Sequence, residues 1–162
     1  YLSWKARQEG TKARFIELAG EVNTSMPKYV VGRVIEALDE REKLVTEARI
    51  LIVGLAYKPN VDDDRESPSY HLMDLLKAHG AEVVYHDPHV PVIRPSREHS
   101  HWAGMKSVKW DEQLIEAFDV VVIATHHSTI NYRQLSDWAS CIVDTRNAIP
   151  EDKGIAENIW KA

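Results

Sequence analysis

One cysteine serves the whole chain of 162 residues. Cys141, lying in an apolar run with no histidine beside it, excludes an internal disulfide and any cysteine-rich metal site; it reads as an inert buried thiol. That usage fits a reducing, cytoplasmic setting. Positive charge is also short: a formal net charge of −5 argues against general nucleic-acid binding, which asks for a basic face. No apolar run approaches the roughly 20 residues of a membrane span, so no membrane partner is expected. The opening YLSWKARQEG lacks the pattern of a signal peptide and reads as the middle of a longer chain. Glycine is sparse as well, with seven residues, and no G-x-G-x-x-G fingerprint opens any helix. A complete dinucleotide site is therefore not expected within these residues.

What the chain does contain is organised around residues 48–69, ARILIVGLAYKPNVDDDRESPS. Arg49 to Val53 are the short apolar and β-branched run of a strand buried on both faces, closed by Gly54. A helix follows, with Ser67 as its cap, Pro68 in its first turn, Leu72, Met73, Leu75, Leu76 and His79 on one face, and Gly80 ending it. The loop between them carries Lys58, Asp62, Asp63, Asp64 and Arg65. Loops that leave parallel strands and enter helix N-termini are where open α/β sheets bind ligands, because free N–H groups there attract anions. Lys58 as a point charge and Arg65 or Arg146 as planar donors suit a diphosphate. The alternative is a purely structural loop in which the three aspartates pair with Lys58 and Arg65. Consecutive aspartates diverge, and no second acidic group completes a Mg²⁺ site.

The rest of the chain alternates strand and helix. Residues 81–85, 119–125 and 140–143 read as strands, 107–110 as a short strand and 158–161 as an edge strand. Helices follow Asp111 and Asn131, and residues 90–104, rich in proline, read as a long surface excursion. The fold class is α/β: a Rossmann-like, doubly wound parallel sheet over 46–162 with an N-terminal helical arm over 1–45. In the arm, Phe15, Ile16, Leu18, Ala19 and Val22 form an apolar face, and a second helix is expected to start at Met26 and Pro27 with Val30, Val31, Val34, Ile35 and Leu38 aligned. These faces need the sheet or a second copy to cover them. The eight histidines show no zinc-ligand spacing and read as loop and surface residues, with His126 or His127 as the one near a ligand.

GLAYKPNVDDDRESPS followed by a helix, then AEVVYHDP, DVVVIAT and VDTRN, closely resembles the C-terminal domain of the UDP-glucose/GDP-mannose dehydrogenases. The opening YLSWKA and RFIELAGEVNTSMPKYVV are similar to the segment after the catalytic cysteine in bacterial UDP-N-acetylglucosamine 6-dehydrogenases. The resemblance implies one part of a homodimeric enzyme that oxidises a sugar C6 alcohol to a carboxylate in two NAD-dependent steps. The NAD domain and the cysteine that forms the thiohemiacetal would lie before Tyr1, so no catalytic residue is assigned here. It implies that Tyr57 and Lys58 contact the UDP moiety, that Arg146 contacts the substrate, and that Arg65 reaches the NAD pyrophosphate. A non-catalytic Rossmann-like nucleotide-binding or assembly module is the competing reading.

Overall fold

The computed structural model describes Lys5, Gln8 and residues 13–149 and 158–162. Apart from Lys5, the YLSWKA segment lies outside the described residues. Among the described residues, five strands form one sheet: β1 (Arg49–Val53), β2 (Glu82–His86), β3 (Val120–Ile123), β4 (Ile142–Asp144) and β5 (Ile159–Lys161). Their order is β2-β1-β3-β4-β5 and every pairing is parallel, with Ile50 of β1 opposite Val83 and Val120. Alternation sorts the side chains into two cores. Ile50, Ile52, Val83, Tyr85, Val120, Val122 and Val143 face α1 (Arg14–Asp39) and α2 (Pro68–Ala78). Leu51, Val53, Val121, Ile123 and Ile142 face α3 (Glu112–Glu116) and α4 (Tyr132–Trp138). Each such side chain contributes about 1.5–3 kcal/mol on full burial, and burial on both faces is why β1 and β3 carry no polar alternation.

The helices differ from expectation in instructive ways. Where two helices are expected around Met26 and Pro27, the described residues Arg14–Asp39 form a single helix of 26 residues that runs through Pro27. Pro27 removes one backbone bond at a cost of about 3 kcal/mol, yet the apolar period of Ala19, Val22, Met26 and Val30 continues across it without a break in phase. Val30, Val31, Val34, Ala37 and Leu38 pack on the sheet, whereas Phe15, Ile16, Leu18, Val22 and Met26 remain exposed. At α2 the Ser67 hydroxyl accepts from the Ser69 amide and Pro68 fills the first turn. His79 is not on its apolar face: it is the exposed C-cap, and Gly80 turns the chain at φ +93°. Residues 107–110 form no strand. Val108 donates one bond to the Tyr85 carbonyl, while the Ser107 hydroxyl accepts from the Asp87 amide and so diverts the backbone from the ladder. The excursion over 90–104 is irregular but anchored, with Ile93 and Trp102 buried in the core. Trp102 Nε1 donates to Asp74 of α2 at 2.7 Å, and the His99 ring stacks on Tyr70 at 4.3 Å.

Gly54 sets how closely the strand ends approach. It has φ +90°, and a Cβ there would sit 2.3 Å from the Thr125 carbonyl oxygen and 2.7 Å from its nitrogen. A side chain would meet backbone on one side and left-handed strain on the other. Gly54→Ala is expected to destabilise the fold by about 3 kcal/mol or more. Urea unfolding checks this, and a loss below about 1 kcal/mol would contradict it.

Candidate functional site

The loops that follow β1, β3 and β4 leave the sheet on one rim, as parallel pairing requires. The first two are held by a buried carboxylate at the end of β2. Asp87 Oδ2 accepts from the amides of Leu55 and Ala56 at 2.7 and 2.8 Å, and Oδ1 accepts from those of His89 and Val90 at 2.7 and 3.1 Å. His127, fully buried in the loop after β3, places Nε2 3.0 Å from the same Oδ2. Thr125 Oγ1 donates to the Ala56 carbonyl at 2.8 Å, tying the first loop to the third strand again. At the end of β4, Asp144 accepts from the amides of Arg146, Ala148 and Ile149 and from Lys161 Nζ.

These anchors bring three of the four sequence-chosen residues to one cleft of about 470 Å³, lined by Tyr57, Lys58 and Arg146 together with Thr145, the first turn of α2 and the Pro27 region of α1. Lys58 is exposed and, among the described residues, has no carboxylate partner; its ammonium lies 5.5 Å from the Tyr57 ring centroid. Arg146 gives its Nε–H to the Ala124 carbonyl at 2.6 Å, which fixes the guanidinium plane and leaves its terminal nitrogens to the cleft. The N-terminus of α2 adds positive potential at Pro68 and Ser69, and Glu66 is the nearby counter-charge. Such a set can hold a dianionic group against an aromatic face.

Arg65 goes elsewhere. Its Nε and Nη2 form a two-pronged pair with Asp63 at 2.8 and 2.9 Å, and it lines a separate cleft of about 620 Å³ with Arg94, Arg97 and His99. Its hydrogen bonds hold the Asp63 carboxyl down at about 2. The structural reading of the aspartates thus holds in part: Asp63 pairs with Arg65, Asp62 approaches Arg94 at 3.5 Å, and Asp64 accepts from the Tyr70 hydroxyl, but none pairs with Lys58. His126 is exposed beside Tyr132, and His127 is a buried link, not a ligand-facing group. Cys141 is buried, and burial pushes its thiol up. The Pro27 region and the Asp87–His127 link escape sequence reasoning. The only local signal for the link is Asp87-Pro88 closing a strand.

Residues 51–151 match the UDP-binding domain of the UDP-glucose/GDP-mannose dehydrogenase family. The chain belongs to that family. All three rim loops fall inside the matched segment, and α1 precedes it. Among relatives, a UDP-N-acetyl-D-mannosamine dehydrogenase of Methanococcus maripaludis is 32% identical over 161 residues, covering 98% of this chain and 34% of the relative. One from Pyrococcus horikoshii is 31% identical over 141 residues, covering 84% and 30%. The solved UDP-D-ManNAc dehydrogenase of P. horikoshii superposes with TM-score 0.71 at 28% identity over 90% of this chain and 32% of that one. An NDP-N-acetyl-D-galactosaminuronic acid dehydrogenase of Methanosarcina mazei gives 0.72 at 26%, over 90% and 30%. This family member spans about a third of the length of the relatives it matches. Their names differ from the N-acetylglucosamine enzymes that its opening segment resembles.

Asp87 makes the rim of this family member sensitive to acid. Burial alone would raise its pKa, but the hydrogen bonds from His127 and from the amides of Ala56 and His89 outweigh that and take it from 3.8 to about 2. A carboxyl lowered on folding contributes stability above its unfolded value and loses it as pH falls through the folded one. About 2 kcal/mol should therefore disappear between about pH 4 and pH 2. Denaturant melts across that window check it. Asp87→Asn should start lower and lose about that much less on acidification; an unchanged acid slope would contradict the assignment.

Proposed function

We propose that this chain is the UDP-sugar-binding and dimerising portion of an NAD-dependent nucleotide-sugar 6-dehydrogenase, which oxidises the C6 alcohol of a UDP-sugar to a uronic acid in two steps in the cytoplasm. The observation that carries the reading is the convergence of Tyr57, Lys58 and Arg146 on one cleft in which neither cation has a carboxylate partner among the described residues. Tyr57, half exposed, offers a ring face to a base. Lys58 and the terminal nitrogens of Arg146 then take the diphosphate, one as a point charge and the other as a fork. The helical arm and the sheet unit act as the two parts of the chain, with the cleft between them.

NAD does not fit at the end of β1. Space beside Gly54 is filled by Thr125 backbone, Lys58 stands in the loop, and no glycine-rich turn leads into α2. The cofactor is assigned to a domain outside these residues, and Arg65, exposed on the other side of Glu66, is the residue that would face it. Cys141 supplies no nucleophile. The 162 residues given UDP-sugar and NAD should form no NADH, and NADH formation would contradict that assignment.

Lys58→Ala should weaken UDP binding by about 1.5–3 kcal/mol, roughly 10–150-fold, and leave the melting temperature unchanged. Calorimetric titration with a parallel melt decides it. A lowered melting temperature with unchanged affinity would make Lys58 structural.

Dimerisation rests on α1, whose Phe15, Leu18 and Val22 are 86%, 56% and 49% exposed and share one face. Light scattering should report a dimer, and Leu18→Asp with Val22→Asp should give a folded monomer. A monomer before any substitution would count against the arm as an interface.

A further inference from the structure

The loop that carries Tyr57 and Lys58 is gripped at both ends by one buried pair. At the near end Asp87 Oδ2 takes the amides of Leu55 and Ala56. At the far end the amide of Asn60 donates to His127 Nδ1 at 3.0 Å. Because Nδ1 accepts that N–H, the proton of the neutral ring sits on Nε2, which donates to the same Asp87 Oδ2 at 3.0 Å. Both side chains are fully buried. Asn60 holds φ +62°, a left-handed conformation, and its Oδ1 accepts from the amide and the hydroxyl of Ser128 at 2.8 and 3.1 Å. Between the two grips lie Tyr57, Lys58 and Pro59, all exposed; Tyr57 and Lys58 line the cleft, and the Tyr57 amide donates to the Asp63 carbonyl at 2.7 Å.

We infer that Asp87 and His127 are positioning residues for nucleotide binding: the pair presets the loop so that Tyr57 and Lys58 meet the base and diphosphate without first being ordered. The inference rests on the nucleotide reading of the cleft and goes beyond it by assigning the geometry of that contact to two residues that never touch the ligand. Apparent affinity falls by the fraction of molecules whose loop is in the competent conformation, so a loop that loses the His127 grip, keeps only the Asn60–Ser128 bonds at its far end and is competent a tenth of the time binds about tenfold more weakly. A purely structural role predicts something else, namely loss of stability with no separate loss of affinity in the molecules that remain folded.

Two substitutions in the complete protein separate the two halves of the link, with UDP as the calorimetric probe. His127→Gln keeps an N–H donor for Asp87 but leaves the Asn60 amide without its acceptor. It should bind UDP about tenfold more weakly, or worse, while remaining folded. His127→Asn places Oδ1 where Nδ1 stood and gives up Asp87; it should melt at a lower temperature yet recover affinity to within about threefold of the unmodified protein. Unchanged UDP affinity in His127→Gln, or equal losses of affinity in both variants, would overturn the positioning role while the nucleotide reading stands. Failure of the unmodified protein to bind UDP at all would overturn that reading and this inference with it. Hydrogen exchange in the unmodified, ligand-free protein is a test that needs no substitution. The Asn60 amide should be protected before UDP is added, and exchange at the rate of an open loop would refute a preset conformation.

Discussion

Removing one carboxylate from water ties together the ends of three adjacent strands. A buried Asp87 would cost several kcal/mol if unpaired. Five donors meet it: four backbone amides and His127. They come from the ends of β1, β2 and β3, adjacent strands in the sheet order, so satisfying one charge fixes three chain segments against each other. Gly54 is required by the same closeness, since the backbone of Thr125 occupies the space a Cβ would take. The strength of that link rests on complete pairing and on low local dielectric, which also make any missing partner expensive.

Charge on the rim divides into two kinds. Asp62, Asp63, Arg65 and Arg94 neutralise one another in the outer cleft, where solvent screens them and their pairs contribute little to stability. Lys58 and Arg146 line the other cleft without carboxylate partners among the described residues, in a protein whose net charge is −5. Unmatched cations beside a helix N-terminus in an otherwise acidic chain favour an anionic ligand. The family match, which includes every one of these residues, agrees with a diphosphate.

The sheet was legible because β1 after Arg49 and all of β3 are apolar runs bounded by Gly54 and by the loop that follows Thr125, and the α2 start was legible from Ser67 and Pro68. Tyr57, Lys58 and Arg146 could be chosen from motif resemblance, and the structure brings those three together. Arg65 has the same local look, but nothing in the sequence says whether Asp63 will take its guanidinium. Pro27 misleads because the local rule against proline loses to a longer apolar stripe that packs on the sheet. The Asp87–His127 link is invisible for a different reason: the residues are 40 apart, and only the sheet order brings their strands' ends into contact. Ser107 shows the converse, a β-like stretch drawn away from pairing by that same aspartate's backbone.

The proposed nucleotide site lies where the rim loops and α1 meet at Tyr57, Lys58 and Arg146. Amide chemical shifts recorded by NMR during a UDP titration test it most directly. Saturable changes are expected at Asn23, Met26, Tyr57, Lys58, Thr145 and Arg146, with the amides of Arg94, Arg97 and His99 nearly still. Changes centred on that outer arginine cleft, or no saturable change anywhere, would contradict it.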